Sequence, residues 1–293
     1  MDFLVLLLVG FGGGVVGACI GALPAFILTG IFAVIGGFFA MLGQPVDVLG
    51  PLAFGPALGP HVFFVGGVAA TAYAGKKGYI EEGGNILLSL NGTGEPSVML
   101  VGGVFGVIGL LITTGLSKIG VPTDNIAVSV FACGVLGRLI FGEKGVCGMY
   151  NESEKRAYMS LGKPFWYNII LGFCVGLMWA GLVAVVKTNT TANITPIFAL
   201  AFGFSAISLI FTQTGFDTPA THHIAYPSAL AAAMAMNAGL PPVGGILVGG
   251  AFAALGALFG DMAIKIFNTN CDTHIDPPAT AIALNVLLIN LVL

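Results

Sequence analysis

Ten apolar stretches recur along the chain, near residues 4–22, 26–43, 57–75, 97–117, 124–142, 165–186, 195–212, 219–238, 242–265 and 276–292. Each approaches the ~20 residues that a helix needs to cross a hydrocarbon layer about 30 Å thick. A backbone in lipid must satisfy its own hydrogen bonds, so such a chain is restricted to helices or a closed barrel. Stretches of this length predict helices. Only 8% of the residues are Asp, Glu, Lys or Arg, and 57% are hydrophobic, against ~25% charged in soluble domains. The expected class is an all-α integral membrane protein whose first partner is the lipid bilayer. The N-terminus "MDFLVLLLVGFGGG" has no basic leader region, so 4–22 is expected as a retained span. A net charge of −3 argues against nucleic acid as a partner.

Lys and Arg set the expected orientation. With ten spans, Lys76, Lys77, Arg138, Lys144, Lys155, Arg156, Lys163 and Lys265 fall on one side, and Lys118 and Lys187 on the other. This eight-to-two division predicts a cytoplasmic 143–164 loop and external termini.

That loop also divides the chain into two similar parts, 1–142 and 165–293. "LVGGVFGVIG" (100–109) matches "LVGGAFAALG" (247–256), and "FGPALGPH" (54–61) matches "FDTPATHH" (216–223), aligning His61 with His223. "GF" at 10–11 aligns with "GF" at 172–173 at the same offset, and "TDNIA" (123–127) with "IDPPA" (275–279), so Asp124 pairs with Asp276. Five spans per half put the halves in opposite orientations, an inverted-topology repeat with any site expected at the repeat interface. The Pro- and Gly-marked segments near 55–75 and 217–238 are expected to be broken or re-entrant.

Ionisable residues in such segments are costly and mark function or pairing. The four histidines are His61, His222, His223 and His274, all at or beside the paired positions. His61 and His223 are expected to approach each other and form a polar station for a proton, cation or small solute. The alternative is that each satisfies a neighbouring backbone group. Asp124 and Asp276 stand where an N-cap belongs, Asp276 directly before Pro277, and a capping carboxylate facing a cavity can also hold a cation. Asp217 and Thr218-Pro219 have the same form. Asp272 and His274 are expected to line an inner vestibule. Asp217, His222, His223, Asp272, His274 and Asp276 offer metal-donor types, but at no zincin spacing. Whether they hold a metal is left open, and no cofactor is expected. Asp261 is expected to pair with Lys265 one turn on.

Gly10/Gly14, Gly13/Gly17, Gly17/Gly21, Gly102/Gly106, Gly245/Gly249 and Gly256/Gly260 are G-x-x-x-G pairs that predict close helix contacts. Their number also predicts a homo-oligomer.

"FGPALGPH" and "THIDPPATAIA" together resemble a group of uncharacterised prokaryotic multi-spanning membrane proteins, which implies a prokaryotic inner membrane and no particular activity. The five-plus-five plan is similar in outline to urea channels, but their Leu-Pro-x-x-Thr-x-Pro-Phe pattern is absent. The leading expectation is a transporter or channel for a small solute or ion. A selective pore for a neutral solute, a scaffold subunit and an intramembrane enzyme are the alternatives.

Overall fold

A computed structural model describes residues 2–151 and 153–293. The described residues form helices without any strand: α1 Phe3–Ile20, α2 Ala22–Met41, α3 Phe63–Lys76, α4 Pro96–Ile119, α5 Asn125–Phe141, α6 Lys163–Asn189, α7 Pro196–Ile207, a short α8 Ile210–Gln213, α9 His222–Asn237, α10 Pro242–Ala263 and α11 Pro277–Val292. Among the described residues, six helical segments are long and apolar enough to cross a membrane: α1, α2, α4, α6, α7 with α8, and α10 with the π-helical turn Ile264–Asn268.

The other four expected spans are shorter. Helices α3, α5, α9 and α11 have 14, 17, 16 and 16 residues. At 1.5 Å per residue they reach roughly 21–26 Å, short of a ~30 Å layer. Each follows a non-helical approach. In the third segment Pro56 and Pro60 hold the backbone out of helix, so α3 begins at Phe63 rather than near 57. The eighth begins at His222 rather than 219. Asp217 and Thr218-Pro219 therefore do not start a helix, and α9 has Thr221 at its N-cap with no side-chain cap bond.

The two halves pack alike, down to single atoms. Helix α1 lies on α4 and α3, and α6 lies on α10 and α9. A Cβ on Gly14 would collide with the Gly102 carbonyl, and one on Gly176 would stand 2.8 Å from Gly250 Cα. Phe11 covers Gly103 as Phe173 covers Gly250, and Gly109 meets the His61 carbonyl as Gly256 meets that of His223. Backbones this close require glycine on at least one side. Gly10, Gly17, Gly102, Gly106, Gly249 and Gly260 also lie against other segments of the same chain. These glycine faces, read above as favouring a homo-oligomer, are occupied within one molecule.

The halves meet through corresponding helices, α2 against α7 and α5 against α11. Gly37 receives the Leu200 side chain and Gly203 receives that of Val34, a reciprocal contact. Phe38 and Phe204 meet edge to face at 6.5 Å. Gly30 faces Ala206 while Gly37 faces Leu200, so α2 and α7 run antiparallel. Helices α5 and α11 do too: the Thr123 hydroxyl donates to the Ala283 carbonyl at 2.6 Å, and Gly134 lies against Ile275. The correspondence of α2 and α7 is also legible in "IFAVIGGFFA" (31–40) and "IFALAFGFSA" (197–206).

One end of the bundle is knotted around Arg138, which is fully buried. Its guanidinium donates to the Thr273 hydroxyl and carbonyl (2.8 and 2.6 Å), to the Val146 carbonyl (2.6 Å), to Asn268 Oδ1 (3.2 Å) and to the Phe267 carbonyl. Lys76 Nζ caps the end of α5 at the Ile140 carbonyl, 2.7 Å away. Asp261 does not pair with Lys265; it accepts from the Ser160 amide and hydroxyl, both at 2.6 Å. The central loop is thereby fastened to α10, and segments bearing most of the larger basic group gather at this end.

Candidate functional site

Helices α5 and α11 begin in the same way. Asp124 Oδ1 accepts from the Ala127 amide at 2.8 Å, and Asp276 Oδ2 accepts from the Ala279 amide at 2.7 Å. Both carboxylates are N-caps, which satisfies an otherwise orphaned amide and sets negative charge at the positive end of a helix. Their remaining surroundings differ. Tyr226 of α9 lines the same cavity as Asp124, so a phenol of the second half stands beside the cap of the first. Asp276 Oδ1 lies 3.4 Å from His274 Nε2.

Both aspartates face a cavity of about 370 Å³. Corresponding residues of the two halves line it together: Asp124 and Asp276, Ala127 and Ala279, Val130 and Ile282, Phe64 and Tyr226. Phe26, Phe54, Phe198 and Phe202 add further aromatic walls, and Thr195 a hydroxyl. A second cavity of about 450 Å³ is walled chiefly by the second half, with His223, His274, Asp261 and Asn268 among its polar residues. Four residues line both cavities: Phe26, Phe64, His222 and Asp276. They form a septum. The Phe26 ring lies 5.6 Å from Phe64 and 4.6 Å from the His222 imidazole. Among the described residues, no Lys or Arg lines either cavity.

His222 is only 4% exposed, and its Nδ1 is enclosed without a partner. Of the expected site residues, His222, His223, His274, Asp124 and Asp276 thus reach the cavities. His61 does not. It is buried, it lines neither cavity, and its ring lies against Gly59. Among the described residues no hydrogen bond joins His61 to His223, and each keeps an enclosed Nδ1 without a partner, so the pair does not form the expected station. Each histidine carbonyl instead presses on its own half's Gly109 or Gly256. Asp217 is exposed in the loop before α9 and lines neither cavity. Asp272 leaves the vestibule as well. Its Oδ2 accepts from the Glu143 amide at 2.6 Å, fixing the central loop. With Asp217 and Asp272 elsewhere, the six-residue donor set does not assemble, and no group of three or more His, Cys, Asp or Glu suited to a metal occurs among the described residues.

Phe26, Phe64, Tyr226 and Arg138 lie outside the expected site. An aromatic ring in an apolar span carries no signal of its own, so Phe26 and Phe64 were not readable. Tyr226 was readable in principle as the polar counterpart of Phe64 at the spacing that aligns His61 with His223. Arg138 counts toward orientation in the sequence, yet its position one helix turn before the end of α5 marks it as internal.

The sequence profile of a family of unknown function, DUF7973, matches residues 1–165 and again residues 152–293. The chain belongs to the DUF7973 family. The two matches divide this DUF7973 protein near the central loop, where the repeated packing also divides it. Neither the curated proteins nor the solved structures contain a match.

Proposed function

We propose that this protein is a membrane transporter or channel for a small solute or ion, with the two cavities as its path and the septum as its gate. The carrying observation is that two cavities share four lining side chains, two of which, His222 and Asp276, are polar. A bundle serving only as a scaffold has no need of paired internal cavities ringed with ionisable groups, since such groups are costly in a membrane.

Its ten helical segments are proposed as two five-helix repeats of opposite orientation. The antiparallel α2–α7 and α5–α11 pairs, the reciprocal Gly37–Leu200 and Gly203–Val34 contacts, and the two family matches support that reading. A two-fold axis at right angles to spanning helices lies in the membrane plane. The lysine and arginine distribution supports a cytoplasmic 143–164 loop and external termini, in the cytoplasmic membrane of a prokaryote as the resemblance implies. Strong labelling from outside intact cells of a cysteine introduced at Ser153 would reverse that orientation.

The test of transport is flux in proteoliposomes across small ions and solutes, normalised to folded protein. Phe26→Ala with Phe64→Ala opens the septum and is expected to raise flux of the permeant species and to admit larger ones. Unchanged flux and unchanged size selection in the double variant would remove the septum from the path.

A further inference from the structure

We propose that the first cavity binds the primary ammonium group of a small organic cation, a proposal that rests on reading the two cavities as a path and gives that path its substrate class. Charge is the first ground. Asp124 and Asp276 both line this cavity, and no Lys or Arg does. Both carboxylates are held as helix caps, and the lining offers an anionic solute no cationic side chain to pair with.

The second ground is the wall. Phe26, Phe64, Phe202 and Tyr226 present aromatic surface to the same space, and aromatic faces attract cations. The walls also cover alkyl groups, so they suit an amine with a hydrocarbon body. They do not suit a bare Ca2+ or Mg2+ ion, which takes six or more oxygen ligands. A volume of about 370 Å³ accommodates a compact molecule of this kind.

The third ground is independent of the carboxylates. His222 lines the cavity, is 4% exposed, and makes no side-chain hydrogen bond among the described residues. Buried polar groups are ordinarily paired. With Nδ1 enclosed, Nε2 is the nitrogen left to the cavities, and in the Nδ1–H tautomer it is an acceptor. Asp124, Asp276, His222 and Thr195 then offer acceptors to an ammonium with three N–H donors. A quaternary ammonium has none to give.

Purified full-length protein is titrated calorimetrically with primary alkylammonium ions from methyl to hexyl, and with the matched alcohols, carboxylates and tetramethylammonium. At least one primary ammonium is expected to bind, and tighter by about tenfold or more than its alcohol and carboxylate counterparts and than tetramethylammonium, since one charge-assisted hydrogen bond lost is worth that ratio. Asp124→Asn and Asp276→Asn should each weaken that binding by about tenfold or more while leaving the melting temperature nearly unchanged, because Asn caps a helix about as well as Asp. His222→Phe should weaken it less. The proposal is overturned if no primary ammonium binds at concentrations on the order of 10 mM, where a useful site would be occupied. It is also overturned if an alcohol or carboxylate binds as tightly, or if the double Asn variant, folded, keeps wild-type affinity. The same ions are then followed in proteoliposomes. Ammonium binding without flux of any solute would break the transport reading and leave the ammonium site standing. Flux of anions or neutral solutes without ammonium binding would do the reverse.

Discussion

The first and second halves of this protein are built from the same contacts and differ in their chemistry. Gly14 on Gly103 and Gly176 on Gly250, Phe11 on Gly103 and Phe173 on Gly250, and Gly109 and Gly256 beneath a histidine carbonyl are one set of contacts made twice. The caps are also made twice, at Asp124 and Asp276. The imidazole at the septum is not. Where the second half has His222, the first has Pro60, and Tyr226 stands where the first has Phe64. His274 has no ionisable counterpart, and both polar septum residues, His222 and Asp276, belong to the second half. The duplicated glycine contacts therefore hold the two halves in one geometry, whereas His222, Tyr226 and His274, which line the cavities, have no like counterpart in the first half.

The largest effect should fall on the frame and should fall equally on both halves. Gly14→Val and Gly176→Val each drive a branched side chain into a neighbouring backbone that has no flexible end to yield. Each should cost about 3 kcal/mol or more, enough to abolish folded protein in size-exclusion and thermal-melt measurements. If one half tolerates the change, the halves are not equivalent supports.

The next effect separates corresponding positions. Arg138 aligns with Asn290, whose amide only reaches the Pro122 carbonyl at 3.2 Å from an exposed site. Arg138→Met leaves its buried acceptors unmatched and should cost about 3 kcal/mol. Asn290→Ala should cost less than ~1 kcal/mol. Equal losses in denaturant or thermal melts would undo that contrast.

Capping should then restore parity. Asp124→Ala and Asp276→Ala should each lower stability by about 1 kcal/mol, with Asn recovering most of it. Flux should not follow stability: Asp276→Asn should reduce flux per folded molecule more than Asp124→Asn, because Asp276 lies at the septum and Asp124 does not. Equal flux losses would move the decisive station into the first cavity.

The smallest effect is expected at His61. His61→Phe should leave flux per folded molecule within about twofold of wild type, a change under ~0.5 kcal/mol. His222→Phe should reduce it clearly. A strong flux defect in folded His61→Phe would bring the first-half histidine back into the path.

Sequence reasoning placed the all-helical class and the six long apolar helices among the described residues, because apolar run length is a local property. It also located both caps, because Asp followed by Pro or Asn at a helix start is a local pattern. The shortness of α3 and α9 was half visible in their prolines. What could not be read was which face of each helix looks inward. His61 and His223 align in sequence, but alignment says that two residues are equivalent, not that they touch. Phe38 and Phe204 are an equivalent pair that does touch. The septum was missed for a related reason: Phe26 and Phe64 are ordinary residues in apolar segments, and their importance comes only from lying between two spaces.

A backbone-to-backbone joint such as Gly14 on Gly102 is indifferent to the side chains around it. Helices fastened by knobs in holes must change in concert, because each new knob needs a new hole. Helices fastened at glycine need only keep the glycine, and neighbouring positions are free to drift separately. A duplicated chain of this kind can hold two copies of one geometry steady while one copy alone acquires imidazoles and a phenol. The asymmetry of the site is then a liberty that the symmetry of the joints makes available.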